Sequence, residues 1–125
     1  MKRIAVSLAL LVSLLVVGHD QAHGTQAFGG RVTFLRLNDF NDVYGPPGDS
    51  INAEVFFSLA GAPGRVFGLT LRNDVNGQSH LAAVRLLSSS WKFGGWICVD
   101  VDTSLPGNNK LVWLGRVWWK ASGAC

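Results

Sequence analysis

The amino-acid sequence predicts a mainly β domain, five strands with one helix between the third and the fourth. Three observations carry that prediction. Residues 51–59 alternate apolar and polar side chains with a period of two, the pattern of a half-buried strand. Residues 80–91 instead repeat apolar side chains at spacings of three and four, the pattern of an amphipathic helix. Glycine- and proline-containing breaks at 45–48, 61–64, 94–95 and 106–107 divide the remainder into short segments rich in β-branched and aromatic residues.

A leader is expected ahead of the domain. Lys2 and Arg3 precede a mostly apolar run at 4–17, and small residues follow at Ala22 and Gly24. A basic start, an apolar centre and small residues at the cut are the three parts of a secretory signal peptide. Cleavage is expected after Gly24, so that residues 1–24 are the signal and residues 25–125 a single domain, secreted or periplasmic. The apolar run is too short to span a bilayer comfortably, and no later stretch approaches it, so no integral membrane segment is expected after cleavage. Of 11 basic and 8 acidic residues, Lys2, Arg3 and Asp20 leave with the leader; 9 and 7 remain, spread along the chain. A net charge of +2 without a basic stripe argues against nucleic acid as a partner.

The elements follow in order. Gly29 and Gly30 end a flexible start, and residues 31–37 form the first strand by their β-branched and aromatic content. Residues 38–50 are a loop with three aspartates and the break Gly45-Pro46-Pro47-Gly48. In the second strand, Ile51, Ala53, Val55, Phe57 and Leu59 point one way, and Asn52, Glu54, Phe56 and Ser58 the other. A tight turn at 61–64 predicts that strand 65–71 pairs antiparallel with it, with Phe67, Leu69 and Leu71 inward. Ser79 is the expected N-cap of the helix and Gly94 its C-cap. Leu81, Val84, Leu87 (or Ser88) and Trp91 form its apolar stripe, widened by Ala83 and Leu86. The fourth strand, 96–102, turns Ile97, Val99 and Val101 inward, opposite Cys98, Asp100 and Asp102. The fifth, 111–120, places Trp113, Val117 and Trp119 on one face and Val112, Leu114, Arg116 and Trp118 on the other. Both faces cannot be core in so small a domain, so at least one of Trp118 and Trp119 is expected to be exposed or covered by a partner.

The order β-β-β-α-β-β is that of a five-stranded OB-fold-like barrel. The competing arrangement is an open α+β sandwich of the same elements. Cys98 and Cys125 are the two cysteines, and an even count in an exported chain reads as one disulfide. Two free thiols, or pairing with another chain, are the alternatives.

Helix 79–90, then Phe93-Gly94-Gly95, then the alternating strand Trp96-Ile97-Cys98-Val99-Asp100-Val101 resemble the pentameric B subunits of bacterial toxins, of the subtilase-cytotoxin and typhoid-toxin (pertussis-like) type. The leader, the mature length and the element order fit the same pattern. The resemblance implies a homo-oligomeric ring, a pentamer, that binds host cell-surface glycans and docks a catalytic A subunit. It implies a glycan site near the entry to the first strand, at Gly29, Gly30 and Arg31, and a helix whose residues, Leu81, Arg85 and Ser88 among them, face a pore or a neighbouring subunit. The surplus tryptophans of the last strand add a candidate stacking ring for the sugar, Trp118, and a candidate interface ring, Trp119. Relatives carry a serine after an aromatic residue at that strand entry; here the stretch is Phe28-Gly29-Gly30-Arg31.

The residues offer little to a catalyst. His80 is the single histidine outside the leader, and it lies at the helix start, where a structural or solvated role is expected. Asp100 and Asp102 read as the wet face of a strand, and Asp39, Asp42 and Asp49 as a hydrated loop without EF-hand spacing. Neither enzyme activity, nor a cofactor, nor a metal is expected. Besides the glycan-binding ring, an envelope interaction protein on the same barrel without sugar binding accounts for the same sequence.

Overall fold

The computed structural model describes residues 24–72, 77–121 and 124–125. Of the expected leader at 1–24, residues 1–23 lie outside them, as does the polar linker at 73–76. The strands are β1 (Thr25–Gly30), β2 (Val32–Leu37), β3 (Val43–Tyr44), β4 (Ile51–Asn52), β5 (Val55–Leu59), β6 (Phe67–Leu69), β7 (Ile97–Asp102) and β8 (Lys110–Trp119), with helix α1 (Gly77–Phe93) between β6 and β7. The described residues are therefore mainly β with one helix, as predicted, and two strands follow the helix; six short strands, rather than three, precede it. Six strands pair in the order β1-β7-β8-β6-β5-β2, and β3 and β4 form a small separate ribbon. All pairs are antiparallel except β6–β8.

A closed five-stranded barrel is not what the pairing gives. The edges of the six-stranded sheet are β1 and β2, which the chain joins through Arg31 alone. The first strand thus starts earlier than predicted and is bent. At the bend Gly30 has φ +150°, and a Cβ there would lie 2.6 Å from the Gly61 nitrogen. A Cβ on Gly61 would lie 1.9 Å from the Gly29 carbonyl oxygen. Glycines on both sides let two backbones cross in contact, which no residue with a side chain permits.

The predicted hairpin is present. The Ala62 amide donates to the Leu59 carbonyl at 3.0 Å, and β5 and β6 pair across the turn. Phe57, Phe67, Leu69, Leu87, Ile97, Val99 and Val101 are fully buried in one main core. A second, smaller cluster holds Ile51, Ala53 and Phe56.

Three predicted alternations change phase. In 51–59 the break falls between β4 and β5. Ile51 and Ala53 join Phe56 in the small core, while Val55, Phe57 and Leu59 enter the main one. The loop at 38–42 covers this break: the Asn38 amide donates to the Glu54 carbonyl at 2.7 Å, and the Ala53 amide to the Asp42 carbonyl at 3.2 Å. In β8, Val112 and Val117 both face the main core, because residues 113–116 bulge opposite Asp100. Leu114 (φ 46°) and Gly115 (φ 65°) make that bulge in the left-handed region. In α1 the buried stripe is His80, Ala83, Leu87 and Ser90, rotated by about one residue from the predicted one. Leu81 and Trp91 are about half exposed. The helix also begins at Gly77, so Ser79 falls in its first turn rather than at the cap.

Ser90 explains the rotation. Its hydroxyl accepts from the Val32 amide at 3.0 Å and donates to the Gly95 carbonyl at 2.6 Å, tying β2 to the helix end. The Gly94 amide closes on the Ser90 carbonyl at 2.8 Å with φ 78°, the predicted C-cap. Ser90→Ala is expected to cost about 1–3 kcal/mol, because it strands a buried amide. Urea unfolding checks this; a change under about 0.5 kcal/mol would mean that another acceptor reaches Val32.

Candidate functional site

The outer face of β1, β7 and β8 carries a candidate site at the entry to the first strand; a second, larger hollow of about 500 Å³ lies over the loop at Arg36, Asn38, Asp39 and Asp42. Register places Gly29, Cys98 and Trp118 in one row across the three strands. Residues directly opposite one another on paired strands share a face. Cys98 is bonded to Cys125, so the single intrachain disulfide is the pairing present. The bond folds the C-terminal residues back over β1. A Cβ on Gly29 would lie 2.3 Å from the Cys125 sulfur and 2.8 Å from the Trp96 indole nitrogen. Glycine at 29 is what lets sulfur and indole close over the strand.

Phe28, Gly29, Gly61, Trp96 and Cys125 line a cleft of about 370 Å³ beside this row. The Trp96 indole N–H is buried there without a hydrogen-bond partner. The nitrogen is fully covered, packed over Gly29, so the indole braces the wall of the cleft. The Phe28 ring packs on Phe67 at 5.4 Å, with the Arg65 guanidinium 4.5 Å from its centre. The Phe28 ring thus belongs to the core side of β1, and the Trp96 ring and the disulfide are what offer a mostly apolar surface to a ligand edged with hydroxyls.

Of the four residues assigned to a glycan, Gly29 lines the cleft. Trp118 is half-buried in the same row two strands away. Gly30 is buried in the backbone crossing. Arg31 is exposed at the bend, its carbonyl accepting from the Ala60 amide at 3.0 Å, and is not in the cleft lining. Phe28, Gly61 and Trp96 escaped the sequence reasoning. The signal available was alternation: Trp96 and Cys98 are two apart on one strand face, so pairing of the cysteines brings the C-terminus over the tryptophan.

Of the residues assigned to an interface, Leu81 and Arg85 are exposed and Ser88 half-buried on α1. Trp119 is 43% exposed, its ring lying on Gly95. None of the five tryptophans belongs to the buried core, Trp91 and Trp113 included.

The acidic residues are engaged in structure. Asp100, expected on a wet face, is buried and paired with Arg116 at 3.0 Å, and Arg116 lies over Trp113. Asp102 accepts from the Ser104 amide at 2.8 Å. Asp49 accepts from the Asn109 amide at 2.7 Å. His80 is buried, its Nδ1 facing the Thr70 carbonyl and hydroxyl. Among the described residues no cluster of three His, Cys, Asp or Glu could hold a metal ion.

No family model, curated protein or solved structure matches this chain. The likeness to toxin B subunits accordingly rests on element order and on the helix–glycine–strand pattern.

Proposed function

We propose that this chain is an exported, non-catalytic carbohydrate-binding subunit that works as a homo-oligomeric ring, binds host cell-surface glycans and docks a catalytic partner, in the manner of toxin B subunits. The observation that carries the reading is the cleft itself, walled by Gly29, Trp96 and the disulfide-bonded Cys125. The cleft lies at the first strand, where the resemblance puts the sugar. Its volume falls at the small end of the range for ligand pockets, roughly 300–1,000 Å³. A sugar would set its C–H face on the Trp96 and Cys125 surface that lines the cleft. A contact of that size is weak in one copy, and a ring multiplies it. The exposed helix residues Leu81 and Arg85, with Ser88 beside them, are available to a neighbouring copy.

An OB-type barrel belongs to the same proposal. It is supported by the two arms of the first strand, β1 on β7 and β2 on β5, by the parallel β6–β8 pair, and by the helix between β6 and β7.

Glycan-array binding followed by titration calorimetry tests the reading. Trp96→Leu keeps an apolar side chain and removes the ring, and is expected to weaken glycan binding about tenfold. Trp91→Phe, outside the cleft, should leave it unchanged. A blank array with only monomer in native mass spectrometry would reject the reading and leave the envelope interaction protein in its place.

A further inference from the structure

One wall of the cleft beside Gly29 is the chain end. Ala124 and Cys125 are both exposed, and both line the cleft. Among the described residues, two bonds hold them in place. The Lys120 ammonium donates to the Ala124 carbonyl at the surface, and the disulfide joins Cys125 to Cys98 in β7. A hydrogen bond open to water adds little, because water competes for both partners. Ordering exposed residues costs conformational entropy, which burial does not offset here. The covalent bond is therefore what keeps this wall over β1.

The two sulfurs are unequally placed. Cys98 is fully buried, whereas Cys125 is exposed in the cleft lining. β7 pairs with β1 on one side and with β8 on the other, and Ile97, Val99 and Val101 lie in the main core. These ladders and this core hold β7 without help from the bond. The Trp96 indole nitrogen is fully covered, over the same glycine as the Cys125 sulfur. Breaking the bond thus frees the wall and uncovers the indole, and leaves the strands paired.

We propose that Cys98–Cys125 is a redox latch on the cleft, opened by a low-molecular-weight thiol. A thiolate reaches the pair at the exposed Cys125 and attacks its sulfur. The S–S bond breaks, its electron pair leaves on the Cys98 sulfur, which takes up a proton, and Cys125 is left in a mixed disulfide. A second thiolate attacks the small-molecule sulfur of that mixed disulfide, so that the two small thiols end as one disulfide and Cys125 leaves as a thiol. One protein disulfide is reduced and two small thiols are oxidised. Exposed disulfides are the labile ones. Oxidising surroundings outside a cell keep this bond, and a thiol-rich reducing compartment removes it. The consequence for binding rests on the carbohydrate reading: an exported subunit holds its glycan outside and releases it after entering a reducing compartment.

Nuclear magnetic resonance of the isotope-labelled full chain tests the latch without any ligand, in dithiothreitol, in reduced glutathione and in neither. In the reduced chain the Trp96 indole N–H is expected to exchange with water at least about tenfold faster. Ala124 and Cys125 should show the picosecond-to-nanosecond motion of a free chain end. The amides of β5 and β6 should keep their protection. Cys125→Ser should show the same released end without a thiol, and no response to one. An end still ordered after reduction, or an indole still protected, would overturn the proposal, because the wall would then stand without the bond. Loss of protection throughout β5 and β6 would overturn it as well, because the bond would then hold the whole domain. Titration of a glycan that the array returns tests the link to binding. Reduction should weaken that binding at least about tenfold, and an unchanged affinity with a released end would reject the latch as a control of the site. A blank array with a released end supports the latch and rejects the carbohydrate reading alone.

Discussion

Glu54→Ala is expected to lower stability by about 3 kcal/mol, near the lower end of the range for breaking a buried ion pair. Glu54 is 5% exposed at the start of β5, where the sequence pattern had pointed it to solvent. One carboxylate oxygen accepts from the Leu71 amide at 2.7 Å; the other accepts from the Asn41 amide and the Arg72 Nε, both at 3.3 Å. One side chain thus satisfies three donors from two separate stretches, 41 and 71–72. Alanine leaves two amides without acceptors and Arg72 without its counter-charge. The Arg72 side chain is about one third exposed, so water reaches it, and this keeps the loss from the upper end of the range. Glu54→Gln keeps one acceptor oxygen and should cost about half as much. Urea midpoints give the totals. Hydrogen exchange should show faster opening at residues 38–42 and 70–72 than at β7. A loss below about 1 kcal/mol for Glu54→Ala would mean that these donors find water, and that the carboxylate only decorates the loop.

Glu54 also shows why parts of the fold were legible in the sequence and others were not. Strand β7 was legible because one phase of alternation holds along it, with Ile97, Val99 and Val101 all inward. The helix end was legible because Gly94 supplies a left-handed residue where the apolar repeat stops. Residues 51–59 alternate just as clearly, yet a second layer covers both sides of Glu54, and the inward phase changes there. Periodicity reports which residues alternate; it does not report how many layers lie against the strand. The bulge in β8 was hidden for a related reason. Leu114 has no local reason to take φ 46°, and the demand comes from His80, whose ring sits where a Cβ on Gly115 would be. His80 and Ser90 turn inward on α1 because Thr70, Val32 and Gly95 offer partners, and a ranking by hydrophobicity gives polar residues no such place.

The site was half legible for the same reason. Gly29 was assigned to it from a resemblance and Trp118 from the alternation of the last strand, and the two do share a row. Trp96 was not, because its part depends on a contact between positions 29 residues apart, made by the returning C-terminus. A paired cysteine is the one local mark of that return.

The disulfide gives the second large effect. Replacing Cys98 and Cys125 together by alanine is expected to cost roughly 3.5 kcal/mol by loop-closure entropy, for a bond spanning a sequence separation of 27. For a domain of this size, with total stability on the order of 5–10 kcal/mol, that is a large fraction. The thermal midpoint should fall by about 15–25 °C. Two mechanisms predict a loss and can be separated. If the bond acts on the unfolded chain, its removal lets that chain expand, and the urea m-value should rise. If instead the Cys125 sulfur matters through its packing on Gly29 and beside Trp96, the midpoint should fall with an unchanged m-value. The unfolded-state mechanism is the one expected to dominate, because Cys125 is itself exposed and buries little on folding, whereas Cys98 is fully buried and a methyl group there replaces most of its packing. A loss under about 1 kcal/mol would show that the C-terminal residues hold their place over β1 without the covalent bond, and that the cleft keeps its wall in a reducing medium.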